Sequence, residues 1–444
     1  MSRTFMLSII VAVIAAAATA DEPAPGEFPR IDFSGSIRTR YEHLDNFNVR
    51  QYPTDEEDNV LLTRFRLDAN LLLRKNVRFY LELQDARFFS EKYDVHDFPS
   101  SCPYENRLDL RQAFMETKHL WEGPWGFKLG RQSISYGDGR IWGPGEWGNT
   151  GRYLWDGAKL YYHTDAVTLD AIAAERVLPN ALKFDGSHYP YQAYGLYASL
   201  PQLKPTTVDF FYVLKRDAHE TTKGESGTDD LNRHTVGAYA KSDLPLGFDG
   251  NATAAYQFGN NGKDDVRAYV FAGELGYQIE EKLRPRPYVS LTYVSGDSDP
   301  NDGRCETFDG VFGAVDKYYG LMNLVSCMNI IDCQCGVSVR PVNKMIVSLD
   351  CHNFMLAEGK DSWYYSNGKS MRRDKTGAAG RDLGREIDLI AKYDVPLGQA
   401  PFGKAVKKLE LTGGYGYFMP GDFVQNTGTA GSAHWVFFQT MLSF

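Results

Sequence analysis

The sequence predicts an all-β protein that crosses a membrane as an antiparallel β-barrel of about 18 strands. Three observations predict this fold. Segments of about ten residues alternate apolar and polar side chains along the chain, as strands with two different faces do. No stretch after the N-terminus has the roughly 18 uninterrupted apolar residues of a membrane helix. The last ten residues, 435–444, alternate in the same way and end on the aromatic Phe444, as expected of a closing strand read by the outer membrane assembly machinery.

Residues 1–20 have the features of a secretory signal peptide. Arg3 precedes an apolar run that ends in three small residues, the pattern of a cleavage site. An anchoring helix is the alternative, but the run is short and no stop-transfer charges follow it. We therefore expect cleavage after Ala20 and one barrel domain over residues 21–444, because no linker or shift in composition divides the rest.

The overall charge argues against a nucleic-acid partner. The net charge is −9, and it becomes −10 without residues 1–20, whose single cation is Arg3. Nucleic-acid-binding proteins present a basic face instead. An acidic total still allows a cationic lumen if the carboxylates lie in loops. The aromatic content of 14% and the 42 glycines are typical of barrels with aromatic girdles and closely approaching strands.

The first two predicted strands, 31–43 and 63–73, each have one apolar and one charged face. The charged faces carry Arg38, Arg40, Arg64 and Arg66. In a soluble sandwich these arginines would simply be solvated. In a barrel, an arginine that faces lipid at the midplane costs about 2–4 kcal/mol. The barrel fold therefore predicts that all four point into the lumen.

The remaining predicted strands follow the same alternation, less regularly in places. Together with the first two they give an even number, as single-chain bacterial barrels have. They are residues 77–86, 108–115, 125–132, 153–162, 167–174, 191–200, 207–214, 234–242, 248–258, 267–278, 287–295, 330–340, 345–356, 383–393, 409–417 and 435–444.

The stretch 129–152 holds the densest group of candidate functional side chains. It is too rich in glycine for a helix and lies between two strand-like segments, so we predict a long turn. Guanidinium groups beside a glycine-walled space offer an anion a place to bind or pass. Arg131 is in phase with the apolar Leu129, so either a bulge or the end of the membrane zone must occur there. The charged side chains that we single out as candidates are Arg131, Asp138, Arg140 and Arg152.

A calcium loop is weakly suggested by Asp297, Asp299 and Asn301, which stand at the first three ligand positions. The glycine comes one position late, and Phe308 replaces the closing glutamate. A plain turn rich in Asp, Pro and Gly is the favoured interpretation. We therefore predict no cofactor, with calcium as the lesser alternative.

The six cysteines do not fit a zinc site well. An even number in an exported chain permits disulfides, but Cys333 and Cys335 share a strand face, where such neighbours rarely bond to each other. Small apolar fillers, with at most one bridge between loops, are the favoured interpretation.

A hydrolytic triad is also weakly suggested, because Ser348, Asp350 and His352 share a strand face. Residues at alternate positions of a strand stand side by side and do not converge, so a row of hydrogen bonds in the lumen is favoured.

These features together resemble the alginate export family of outer membrane porins. The resemblance extends from the first strand, residues 35–42, to residues 386–388 and so covers nearly all of the chain after residue 20. The motifs that carry it are Gly130-Arg131-Gln132, Tyr136-Gly137-Asp138, Arg140, Trp147, residues 149–152, Asp156-Gly157, the block that begins at Ser295, and Tyr318-Tyr319-Gly320.

The resemblance implies a monomeric, non-enzymatic 18-stranded barrel in the outer membrane of a Gram-negative-type bacterium, with an electropositive lumen through which an anionic polyuronate leaves the periplasm. A planar guanidinium can bridge two carboxylate oxygens of such a polymer. The alternative is that arginine and aspartate form ladders that fill the lumen. The matching positions are Arg38, Arg40, Arg64, Arg66, Arg131, Arg140 and Arg152, with Asp85, Asp138 and Asp156 as orienting acids.

Two other functions remain open on the same barrel: a general or organic-acid-selective uptake porin, and an outer membrane hydrolase. Passive conduction has no built-in direction, so the sequence does not separate export from uptake. It also leaves open the polymer, the small anions that pass, the loops that plug the pore and the periplasmic export partners.

Overall fold

The structure is a computed structural model, which describes residues 28–47, 57–98, 102–151, 153–201, 203–313, 318–365, 368–397 and 406–444. The predicted signal peptide, residues 1–20, and Arg152 lie outside these ranges. The described residues form a closed antiparallel barrel of 18 strands, which confirms the predicted fold.

The barrel strands are β1 (Arg30–Asp45), β2 (Asp58–Arg74), β3 (Val77–Ser90), β4 (Asn106–Leu120), β5 (Trp125–Gln132), β6 (Leu154–His163), β7 (Thr168–Leu178), β8 (Gly186–Leu200), β9 (Thr206–Lys223), β10 (Thr228–Asp243), β11 (Phe248–Asn261), β12 (Asp264–Tyr277), β13 (Arg286–Val294), β15 (Ile330–Val339), β16 (Met345–Met355), β19 (Asp382–Asp394), β20 (Lys408–Pro420) and β21 (Ala433–Ser443). Short strands in loops are β14 (Arg304–Cys305), β17 (Ser362–Tyr364) and β18 (Ser370–Arg373). Helical structure in the described ranges is limited to α1 (Asp422–Thr427) and two 3₁₀ turns, Val95–Asp97 and Pro245–Gly247. None of these described helices is long and apolar enough to cross a membrane.

The barrel closes where β1 pairs with β21, from Ser36 opposite Ser443 to Asp45 opposite His434. Phe444 continues this contact. Its backbone N–H and C=O each bond to Gly35 at 3.1 Å, and its side chain is buried. A Cβ atom at position 35 would lie 2.6 Å from the Phe444 ring. The terminal aromatic therefore packs on a position that only glycine fits.

Several strands are longer than the sequence predicted, and β9 and β10 are clear examples. β9 continues to Lys223, beyond the predicted end at residue 214, and β10 begins at Thr228, before the predicted start at residue 234. The added residues are mostly polar on both faces. Backbone pairing does not require an apolar face, so this hairpin extends past the region where alternating hydrophobicity marks a strand.

The outer surface of the barrel is apolar. On β3, for example, the alternate residues Phe79, Leu81 and Leu83 are all exposed. Most of the short turns, the start of β1 and the end of β21 lie at one end of the barrel, and the longest connections lie at the other. In outer membrane barrels the short turns are periplasmic, so the long loops are extracellular.

Two long connections fold into the barrel. We call the described residues of 133–153, between β5 and β6, the first inner loop, and those of 295–329, between β13 and β15, the second inner loop. They meet at Trp142, which forms a parallel bridge with Phe312. Around this bridge Trp142, Trp155, Phe308 and Phe312 are at most 3% exposed. Part of the hydrophobic core of this protein therefore lies inside the barrel, where a packed interior replaces a wide open pore.

Candidate functional site

Five arginines, four of them buried and the fifth, Arg66, with a side chain that is 13% exposed, lie on the inner side of β1, β2 and β4. We call this group the arginine wall: Arg38, Arg40, Arg64, Arg66 and Arg111. Arg38 lies directly opposite Arg64 on the neighbouring strand. Directly opposed like charges destabilise a sheet, so the wall needs acceptors from elsewhere in the protein.

The first inner loop supplies most of these acceptors through its backbone. Arg38 donates to the carbonyl oxygens of Trp147 and Gly148, both at 3.0 Å, and to Asn149 Oδ1 at 3.0 Å. Arg40 donates to the Trp147 carbonyl at 3.0 Å. Arg64 donates to the carbonyls of residues 146 and 148, both at 3.1 Å. Three successive carbonyls thus face the wall, which a loop rich in glycine can arrange because it meets few steric limits.

The same loop places a carboxylate among three of the arginines. Glu146 Oε2 lies 2.7 Å from Arg66 Nη1 and 3.9 Å from Arg64 Nη1, and Oε1 contacts Arg111 Nη2. Burial alone would raise the pKa of Glu146, but the charges of Arg111, Arg66 and Arg64 outweigh burial and lower it. Glu146 is therefore ionised.

Two further carboxylates belong to the wall. Glu82 lies 3.1 Å from Arg111 and 3.4 Å from Arg66, and Glu42 lies 2.6 Å from Arg40. With Glu146 this makes three carboxylates for five guanidinium groups among the contacts described. The wall therefore carries an excess of positive charge.

Sequence reasoning missed Arg111. It is the extra residue of a β-bulge: Gln112 lies opposite Glu82, and Leu110 lies opposite the next residue, Leu83. A bulge reverses which of the alternating side chains point inward, and no feature of the local sequence predicts its position. The alternation in 108–115 therefore could not assign Arg111 to the inner side.

Two of the predicted pore-lining residues, Arg131 and Asp156, lie on the outward face instead. Arg131 shares this face with the exposed Leu129. Its guanidinium binds Asp156 through two contacts, at 2.8 and 2.9 Å. The pairing of β5 with β6 is regular through both residues, so no bulge turns them inward. They lie at the extracellular end of these strands, where the ion pair neutralises both charges.

Asp85 is also on the outward face, in phase with Leu83 and Phe89 on β3. Its partner is Arg87, at 2.7 and 3.0 Å, and not a member of the arginine wall. The prediction that Asp85 orients lumen arginines is therefore wrong. Only the resemblance had suggested a role for Asp85 in the lumen.

Arg140 and Asp138 join the two inner loops. Arg140 Nε lies 3.1 Å from Asp138 Oδ2, and Nη1 donates to the Tyr319 hydroxyl at 3.1 Å. The guanidinium also lies 3.9 Å from the centre of the Tyr318 ring. Asp138 accepts a further bond from Thr253 on β11, at 2.9 Å. Arg140 therefore connects the two inner loops through its contacts with Asp138, Tyr318 and Tyr319.

A second sector of the barrel interior, separated from β1 by β20 and β21, is acidic. Its carboxylates, on β15, β16 and β19, are Asp332, Asp350, Glu386 and Asp388. Glu386 accepts the backbone N–H of Met322 at 2.9 Å, and Asp388 accepts that of Leu321 at 3.2 Å. These acids therefore hold the second inner loop by its N–H groups, as the arginine wall holds the first inner loop by its carbonyls.

The weakly suggested triad is not assembled. His352 Nδ1 lies 3.0 Å from Asp332 Oδ2. Asp350 is not among its described hydrogen-bond partners. Asp350 instead contacts Tyr288 and accepts from Gln334 at 3.2 Å. Ser348 contacts neither partner in the hydrogen bonds described. This is the row of hydrogen bonds that the strand geometry favoured.

The suggested calcium ligands point in different directions. Asp297 is buried and accepts the N–H of Asp299, whereas the side chains of Asp299 and Asn301 are exposed. Within the described ranges, no group of three or more His, Cys, Asp or Glu residues is placed to hold a metal ion. The six cysteines are free thiols.

Comparison with known proteins gives a family and a fold. A family model described as alginate export matches residues 30–437. No curated protein sequence matches the chain significantly. Three solved structures from Pseudomonas aeruginosa share the barrel over 93% of this chain: OccK8 (OprE), with 98% of that chain covered, 13% identity and a TM-score of 0.60, OccK2 (OpdF), with 97%, 11% and 0.59, and OpdK with vanillate, with 98%, 11% and 0.58. At these identities the likeness concerns the fold, which is that of outer membrane porins.

Proposed function

This chain belongs to the alginate export family, and on that premise we propose that it conducts anionic solutes along the arginine wall, with an alginate-like anionic polysaccharide as its cargo. Family and fold are those of outer membrane export channels and porins, so the chain is an outer membrane protein. We propose a monomeric transport role without a catalytic step.

The observation that carries the proposal is the excess of guanidinium groups on one inner side of the barrel. Five arginines face three carboxylates, and the strands that hold them are rigid. Arg38 has only neutral acceptors among its described hydrogen bonds. Uronate carboxylates are stronger acceptors than carbonyl groups for such donors. Several guanidiniums in a row would also let a polymer move from one to the next without being held tightly by any of them.

Single-channel recording in a planar bilayer tests this proposal. Uronate oligomers and neutral oligosaccharides of equal length are titrated against the current. We expect uronates to block at much lower concentration. Arg38→Gln should raise the half-blocking uronate concentration about tenfold, because a hydrogen bond to a charged group is worth about 1.5–3 kcal/mol.

Arg284→Gln is the matched control for this recording. It removes the same charge from a turn at the periplasmic end, where the Arg284 side chain is 47% exposed and pairs only weakly with Glu280 at 3.2 Å. Uronates should block the Arg284→Gln channel at the same concentration as they block the wild-type channel. Equal block by uronates and neutral sugars, or equal effects of both substitutions, would contradict a role for the arginine wall.

Uptake of small organic acids is the second candidate. The observation in its favour is the packed pair of inner loops, which narrows the lumen. A structural relative, OpdK, was crystallised with the carboxylate vanillate. Liposome swelling separates the candidates: fast entry of monomeric carboxylates together with no block by uronate oligomers would favour uptake of small acids.

A further inference from the structure

The most informative contact of the arginine wall is the one with Glu146. We propose that Glu146 is a built-in competitor that occupies the carboxylate-binding site of the wall until a carboxylate of the transported polymer replaces it. This inference rests on the proposed function and adds a specificity-determining residue to it.

The geometry around Glu146 is that of a bound carboxylate ligand. Its two oxygens are shared among Arg66 at 2.7 Å, Arg111 in direct contact and Arg64 at 3.9 Å. These arginines come from β2 and β4, whereas Glu146 comes from the first inner loop. The binding groups thus belong to the rigid barrel, and the ligand belongs to a connection. A uronate carboxylate has the same charge and the same pair of oxygens, so it can take the same place without changing the charge balance.

Solvent reaches this site. The Glu146 side chain is 41% exposed, whereas the side chains of Arg64, Arg66 and Arg111 are 6%, 13% and 1% exposed. Oε2 itself is buried against the arginines, so the exposed remainder of the Glu146 side chain marks the open side of the cluster. A solute that enters the lumen can approach the arginines from there, as Glu146 leaves.

The local backbone of the first inner loop suits such an exchange. Gly145, next to Glu146, has φ of +61°, a conformation that other residues rarely adopt. The neighbouring residues of the loop are tied to the wall largely by carbonyl groups of residues 146–148. Neutral acceptors of this kind compete less well for guanidinium donors than carboxylates do. A polymer that brings several carboxylates can therefore displace this segment step by step.

Because Glu146 is tethered to the protein, only some solutes can displace it from the arginines. A group held on a short flexible segment has an effective concentration of about millimolar. A monomeric uronate at a concentration below this effective concentration therefore does not displace Glu146 from the arginines. A polymer is multivalent, so its further carboxylates add to the first and overcome the tethered competitor. Neutral polymers replace Glu146 poorly, because they would leave Glu82 as the one carboxylate in contact with Arg66 and Arg111, and none in contact with Arg64, among the ion pairs described. The contact thus selects for long polyanions.

The test compares uronate block in the wild type, Glu146→Gln and the control Glu122→Gln. Glu122 is exposed in the turn between β4 and β5. Removal of the competitor should lower the half-blocking concentration of monomeric uronate about tenfold or more, with a smaller change for long oligomers. Glu146→Asp, which keeps the carboxylate, should restore most of the wild-type behaviour, and Glu122→Gln should be unchanged.

The outcomes separate this inference from the proposed function. If uronates block the wild type and Glu146→Gln at the same concentration, the competitor role is wrong and the arginine-wall channel stands. If uronates block neither protein, both are wrong. The wild type alone gives a second test, independent of how the variants fold. Its half-blocking concentration per carboxylate should fall steeply with oligomer length, and a constant value would overturn the inference.

Discussion

Arg38 and Arg64 show how single residues set the character of the lumen. They lie opposite each other on adjacent strands, and both donate to carbonyls of the first inner loop. Alternation of side chains and the cost of placing arginine in lipid were enough to predict their inward direction. Their partners could not be predicted, because carbonyl groups belong to every residue and leave no mark in the sequence.

For Arg131 and Asp156 we predict that substitution leaves the ion selectivity of the channel unchanged. They form an ion pair on the outward face, so their charges do not face the lumen. Arg131→Gln combined with Asp156→Asn removes both charges and leaves no unpaired partner. We expect the ratio of anion to cation permeability, measured from reversal potentials, to equal that of the wild type. A change as large as that caused by Arg38→Gln would mean that the pair does line the pore.

Asp297 predicts a pH dependence in the extracellular loops. Burial, together with the carboxylates of Glu225 and Asp361, raises its pKa to about 7. The unfolded carboxyl group has a pKa of about 3.9. Between these values the unfolded loop releases its proton while the folded loop keeps it, so rising pH favours opening. The stabilisation is complete below about pH 4 and is lost as pH rises through about 7.

Hydrogen exchange can measure this effect. Corrected for the intrinsic pH dependence of exchange, the protection of amides in residues 297–307 should fall between about pH 4 and pH 7. Asp297→Asn removes the titrating group and should flatten the profile, while amides of the barrel strands serve as the internal reference. An equal slope in wild type and variant would contradict the assignment to Asp297.

Among the elements, the contact of β1 with β21 is the one that closes the barrel. Gly35 bonds to the backbone of Phe444 and leaves room for its ring. An added Cβ at position 35 would lie 2.5 Å from the Arg66 carbonyl oxygen and 2.6 Å from the Phe444 ring. Gly35→Ala should therefore lower the fraction of protein that runs in the folded, heat-modifiable form on an unboiled gel.

Gly186 provides the control for this element. It lies at the start of β8, and a Cβ added there would meet nothing within 4 Å. Gly186→Ala should fold as the wild type does. Equal folded fractions for the two variants would show that the packing of Phe444 on Gly35 does not limit closure.

Whether an element could be predicted depends on whether its side chains must alternate between apolar and polar. Strands in the lipid zone can be predicted from the sequence, because one face must be apolar and the other need not be. The polar extensions of β9 and β10 lack this contrast, so they were missed. The bulge that turns Arg111 inward was missed because only pairing with β3 defines it. The first inner loop was recognised as a long turn, but its path into the barrel depends on contacts distant in sequence, such as Trp142 with Phe312.

For the whole molecule, the two sides of the lumen have opposite character. The arginine wall on β1, β2 and β4 is separated from an acidic sector on β15, β16 and β19 by only two strands, β20 and β21. An inner loop is bound to each side, by its carbonyls on the arginine side and by its N–H groups on the acidic side. The sequence could reveal the charged faces one strand at a time. It could not reveal that these two sectors lie close together, since this depends on closure of the sheet.

The most direct test of the central claim, that anionic solutes pass along the arginine wall, is the reversal potential of wild-type single channels under a salt gradient. A channel whose path follows five guanidinium groups and three carboxylates should pass anions in preference to cations. We predict a reversal potential of the sign given by anion selectivity, shifted towards zero by uronate oligomers that occupy the wall. A cation-selective or unselective current, unaffected by uronates, would contradict the account.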